Sequence, residues 1–120
     1  MAISFTLTNE QEQLKQVARS FAREHLRPLL AAASQETDPL QRALLLRPVM
    51  EKAVRAGFLK SLIPAPFGGM ASSGVDAAIF IEELASESPD FMISMAGPLI
   101  ALAPVYEVGT PLQITRFVAP

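Results

Sequence analysis

The chain has 120 residues, half of them hydrophobic, with 18% charged, a net charge of −2 and no cysteine. Scattered single Lys and Arg leave no basic stripe for nucleic acid. The lack of cysteine excludes disulfides, thiolate nucleophiles and zinc–thiolate sites, and points to a reducing compartment. A charge content below the roughly 25% usual for soluble domains, with a mean hydropathy of +0.30, implies one domain with a face that meets another domain or subunit.

No basic n-region followed by an apolar h-region opens the chain, so no secretory signal is expected. The first helix announces itself at Thr8, with Gln11 three residues on as a capping box and Leu7 apolar just outside. Leu14, Val17, Ala18, Phe21, Ala22 and Leu26 then recur at helical spacing as one stripe. Arg27-Pro28 predicts a kink or restart, and residues 31–37 read as a fraying end. Asp38-Pro39 is an N-cap with proline at the first helical position. It opens a short turn through Leu44-Leu45-Leu46, after which Pro48 starts a better helix over 49–56. Glu51 and Arg55 pair there at i,i+4, and Gly57 ends it as a left-handed residue with Phe58 folding back.

Residues 60–74 read as irregular, with any extension over 58–63 lacking a partner strand. Ser73 with Asp76 caps a helix running to about Glu87, and Ser88-Pro89-Asp90 opens another. That one carries the nearly uncharged run 91–106, too short for a bilayer and expected to be buried core. Gly97-Pro98 predicts a bend or break, and Gly109 a stop. Thr110-Pro111-Leu112-Gln113 is a further capping box, opening a last helix expected to end at Pro120. With no alternating strand and no repeat, the fold class is an all-α helical bundle.

Few residues invite chemistry. Glu82 and Glu83 are adjacent carboxylates on one helix, but neighbours point about 100° apart, so one is expected in solvent and the other to cap or pair at a domain interface. His25, the lone histidine, reads as a plain helix-end residue favoured by the dipole, without partners for a triad or a metal site. Gly68-Gly69 lacks the flanking strand and Lys-Ser/Thr of a phosphate loop, so both are read as backbone positions needing positive φ. Met92, Ile93, Met95, Ala96, Leu99 and Ile100 read mostly as core. No catalytic, cofactor-binding or metal-ligating residue is expected in this chain.

The series Phe5-x-Leu7-Thr8-x-Glu10-Gln11, Ala18-Arg19-x-Phe21-Ala22, Leu26-x-Pro28-Leu29 and Ala56-Gly57-Phe58-Leu59 opens a longer pattern. It continues through Pro64-Ala65-Pro66-Phe67-Gly68-Gly69, Glu82-Glu83-Leu84-Ala85, then Pro104 and Gly109-Thr110-x-x-Gln113-x-x-Arg116-Phe117. In this order it resembles the N-terminal helical domain of acyl-CoA dehydrogenases over nearly the whole chain. The stretch from Arg47-Pro48 to Gly69-Met70 is similar to fungal nitroalkane oxidase-like members. Ala65, Pro66 and Pro98 depart from the family's usual pattern.

The resemblance implies a single helical domain over 1–120, with the FAD-binding β-barrel and the C-terminal catalytic domain absent. It further implies an intact enzyme that uses FAD to dehydrogenate an acyl-CoA thioester between its α and β carbons. This chain is then expected to be a truncated portion, inactive and without cofactor alone. Its partners would be acyl-CoA in the intact enzyme and the missing domains, or another protein, across an apolar face. The alternative is a non-catalytic interaction module that pairs with a full-length relative. By the same resemblance Met92, Ile93, Ala96 and Ile100 match positions that face the acyl tail, where methionine adapts to ligand shape. An intracellular location is expected, in cytoplasm, mitochondrion or peroxisome, with no transmembrane segment.

Overall fold

The computed structural model describes residues 4–71 and 73–118, and every named element among them is helical. Helix α1, Asn9–Phe21, begins as the sequence predicts: the Thr8 hydroxyl accepts from the Gln11 N–H at 3.2 Å, and the Gln11 carboxamide oxygen from the Thr8 N–H at 3.0 Å. The expected kink is a π-helical turn, Ala22–Leu26, running into α2, Arg27–Gln35. The Arg27 N–H donates to the carbonyl of Ala22, five residues back. A proline ring collides with the carbonyl four residues before it in a regular helix, and a wider turn ahead of Pro28 relieves that crowding. The same widening seats Leu26 in the core and leaves His25 at its rim. The apolar stripe is narrower than the spacing implied, because Val17 faces solvent. Nor do residues 31–35 fray, since Ala33 is buried in the last turn of α2.

Helix α3, Pro39–Arg55, starts where the Asp38 carboxylate accepts from the Leu40 N–H at 2.9 Å. It passes through Pro48 without a break, which corrects the expected restart. Pro48 withholds one hydrogen bond, from the Leu44 carbonyl, and both residues lie on the exposed side where water can replace the donor, while Val49 and Ala53 keep the inner face packed. Glu51 pairs with Arg55 as expected, at 3.5 Å, and also with Arg47 at 3.0 Å. The end is a Schellman motif: Phe58 N–H to Ala53 O and Gly57 N–H to Val54 O, each 3.0 Å, with Gly57 at φ +84°.

The following segment forms 3₁₀ turns at Lys60–Leu62 and Ala65–Phe67 and is closed by its own backbone. Met70 N–H reaches Lys60 O at 2.7 Å, Ala71 N–H reaches Ile63 O at 3.0 Å, and Ala65 N–H reaches Ala71 O at 3.1 Å. Of the glycine pair only Gly68 has positive φ, at +86°. Gly69 is needed for a different reason: a Cβ there would sit 1.8 Å from the Ile63 carbonyl oxygen.

Helix α4, Gly74–Glu87, carries the Ser73/Asp76 capping box. Helix α5, Pro89–Val108, is capped by the Ser88 hydroxyl and is continuous past Gly97-Pro98, where a bend or break was expected. Helix α6, Pro111–Phe117, opens on the Thr110/Gln113 box. It ends at Phe117, and the stop expected at Pro120 lies outside the described residues.

Helices α1 and α4 run parallel, because ascending positions pair: Gln11 with Asp76, Arg19 with Glu83, Arg27 with Glu87. Beneath them Phe21, Phe58 and Phe80 meet edge to face at 4.5 and 4.8 Å, a favoured aromatic geometry. Leu26, Leu84, Phe91 and Met95 complete the core. The whole measures 45 × 40 × 22 Å, two helix layers thick. Its 8029 Å² of accessible surface exceeds the roughly 6,300 Å² expected at this mass.

The two glycines predict different costs. Gly68→Ala loses about 1–2 kcal/mol from the left-handed conformation alone, whereas Gly69→Ala loses about 3 kcal/mol or more because backbone must move. Urea unfolding of the two variants measures this, and equal midpoints would refute the close-approach reading.

Candidate functional site

The run 91–106 was expected to be core, yet only Phe91, Met92 and Met95 are buried in it. Ile93, Ile100 and Val108 are 68%, 72% and 85% exposed. At 100° per residue, Ile93, Gly97, Ile100 and Pro104 fall on one face, and all four are exposed. No charged residue stands between Asp90 and Glu107. A helix apolar all round is usually covered, and here one of its faces is open. The helix that carries this run, α5, is 20 residues long and its most apolar window has mean hydropathy 1.5, enough to cross a membrane by length and composition alone. It is nevertheless anchored in the core through Phe91, Met92 and Met95.

The four residues matched to an acyl tail are therefore divided. Ile93 and Ile100 share the outer face, Ala96 lies half-buried at its edge, and Met92 points into the core. A neighbouring cleft of about 280 Å³ between α3 and α5 is lined by Leu44, Leu46, Met50, Phe91 and Ser94, with Ala43 and Arg47, and by none of those four.

The carboxylates separate as expected, Glu82 in solvent and Glu83 buried. Glu83 pairs within the domain instead of at an interface. Arg19 on α1 grips Glu83 with both Nε and Nη2 at 2.8 Å. That guanidinium, first by hydrogen bonding and then by charge, holds the Glu83 carboxyl below its ordinary value against the opposing effect of burial. A carboxylate so held is a poor general base. Arg27 likewise lowers Glu87 through a two-point pair. The separation of 64 positions between Arg19 and Glu83 leaves no local signal from which sequence reasoning could find the pair.

His25 lies inside the π turn, not at a helix end. Its ring meets the Phe21 ring at 5.1 Å, and Lys52 Nζ lies 3.2 Å from its Nδ1. Phe67 stacks on Tyr106 at 5.1 Å and 26°, tying the glycine loop to α5. Among the described residues no group of three or more His, Asp or Glu could hold a metal. A cavity of about 680 Å³ opens between Thr8, Ser61 and Ser73, but Glu10 and Asp76 line it. A flavin's diphosphate would meet two carboxylates there, so these residues do not fit that group by themselves.

Comparison with known proteins accords with this geometry. The family model for the acyl-CoA dehydrogenase N-terminal domain matches residues 8–120. Nitroalkane oxidase of Fusarium oxysporum is 31% identical over 98% of this chain, which spans 27% of that protein. A probable medium-chain specific mitochondrial acyl-CoA dehydrogenase of Caenorhabditis briggsae is 24% identical over 96% of the chain and 27% of its own length. An active-site variant of nitroalkane oxidase crystallized with 1-nitrohexane superposes with a TM-score of 0.89 at 31% identity, covering 98% of this chain and 27% of that one.

The Arg19–Glu83 pair makes stability depend on pH with a definite sign. A lowered carboxyl pKa stabilises the fold above the ordinary value of 4.5, and that contribution fades as pH falls through the folded-state value. Glu83→Gln should lose about 2 kcal/mol at pH 7, and the deficit should begin to shrink as pH falls below the ordinary value of 4.5. A deficit independent of pH, in urea melts at pH 7 and pH 3, would remove the ion pair as its cause.

Proposed function

Because the chain belongs to the acyl-CoA dehydrogenase family, as its N-terminal helical domain, we propose that it serves as the helical part of an FAD-dependent oxidoreductase. In this reading the intact enzyme oxidises an acyl-CoA thioester or a related carbon acid, a nitroalkane among them. The observation that carries it is the match over 98% of the chain, at a TM-score of 0.89, to nitroalkane oxidase, described as a flavoprotein. The uncharged outer face of α5 supports it from the other side, as the surface against which the remaining parts of the enzyme close.

Ile93, Ala96 and Ile100 then border the far end of the acyl tail, with Met92 behind them as adaptable packing. Pockets of this kind are lined mainly by apolar residues. The 120 residues alone are silent: their buried carboxylate is locked to Arg19, and no cavity described above suits a flavin. A non-catalytic module pairing with a full-length relative would use the same face, and a swap experiment separates the two.

Placed in the Fusarium oxysporum nitroalkane oxidase instead of its matching segment, this chain should preserve flavin absorbance and anaerobic flavin bleaching by 1-nitrohexane or by an acyl-CoA. The isolated chain should show no flavin bands. In the chimera, Ile100→Glu should raise KM for long-chain substrates about tenfold and leave short ones unchanged. A folded chimera that binds flavin but is bleached by neither substrate class would support the non-catalytic module, and flavin retained by the isolated chain would overturn its silence.

A further inference from the structure

Three features weaken α5 within one turn. Pro98 has no N–H for the Ser94 carbonyl, so the ladder lacks a rung there. The Ser94 hydroxyl bonds back to the Asp90 carbonyl at 2.9 Å, a contact that bends helices. Gly97 has no heavy atom within 4 Å of where a Cβ would stand, so no close packing in this chain requires glycine. Proline and Gly/Ser pairs are the usual sites of helix kinks.

Burial changes across the same turn. Phe91, Met92 and Met95 fix the first part in the core, whereas no residue from Ala96 to Val108 is buried. The second part rests on a shallow seat through Ala96, Leu99, Ala103 and Tyr106, all half-buried at helical spacing. Pro104 removes a further donor, from the Ile100 carbonyl. At the far end Tyr106 stacks on Phe67, in the loop held shut by its own backbone.

We infer that α5 is two mechanical units: an anchored stem, and a strap over residues 99–108 that opens about Gly97-Pro98 and is latched by Tyr106 on Phe67. Opening lifts Leu99, Ala103 and Tyr106 away from the bundle and parts Tyr106 from Phe67, without unfolding the stem. The strap also carries Ile100, Pro104 and Val108, so whatever packs on that outer face holds it closed. The inference concerns the chain's own motion and stands apart from the proposed chemistry.

Hydrogen exchange read by mass spectrometry on the 120-residue chain tests it. Amides over 99–108 should exchange at least about tenfold faster than those of the stem and of α4. Tyr106→Ala should speed 99–108 further and leave α4 unchanged. The double variant Gly97→Ala, Pro98→Ala restores a donor and a helix former at the hinge and should slow the strap toward the stem's rate. Uniform exchange along α5, an unaltered strap in the double variant, or acceleration spread over the whole chain by Tyr106→Ala would each overturn the hinge. Should Tyr106→Ala fail to fold, the double variant decides the question.

Discussion

The two-point grip of Arg19 on Glu83 fixes how α1 lies along α4, and the rest of the bundle is arranged around that seam. An ion pair with one partner buried adds little net stability over a well-packed apolar pair, but the buried partner left alone is costly. Any slip of one helix along the other would part the buried Glu83 carboxylate from the guanidinium that grips it. Gln11 with Asp76 and Arg27 with Glu87 repeat the constraint at either side, so parallel register is set at three heights. The Phe21, Phe58 and Phe80 edges then have one way to meet.

Helix starts were legible because their cause is local. Thr8, Asp38, Ser73, Ser88 and Thr110 each reach an N–H within three residues, and each does so in the structure. The prolines misled for the opposite reason. Pro48 and Pro98 each cost about 3 kcal/mol in a helix interior, yet both helices run on: α3 with Val49 and Ala53 packed beside Pro48, and α5 with only the turns before Pro98 packed. The Arg19–Glu83 pair had no sequence trace, since only the fold brings those positions together. At the candidate site, spacing alone marks Ile93 and Ile100 as sharing a face. Whether that face points inward depends on what it packs against, which is why Met92 and Ile93, one residue apart, have opposite environments.

The flatness of the domain and the apolarity of α5 are one fact seen twice. A plate two helices thick cannot bury a long uncharged helix on all sides. The sequence therefore leaves apolar residues of α5 on the surface, and the low charge content registers that in composition. The relatives it matches are nearly four times as long, the chain spanning 27% of the Fusarium oxysporum protein.

The π turn at Ala22–Leu26 gives the long rod two phases. Side chains before Ala22 and after Leu26 follow the same period but are offset by one residue. No single helical wheel describes both α1 and α2. One residue of length within this segment is therefore absorbed by the turn. Removing it would restore an ordinary helix with Arg27 still facing Glu87 and Ala33 still facing inward, because the five residues of the π turn cover about the rotation of four in an α-helix. An alignment gap of one residue in this rod signifies a wide turn closed to a regular one, with the faces on both sides kept.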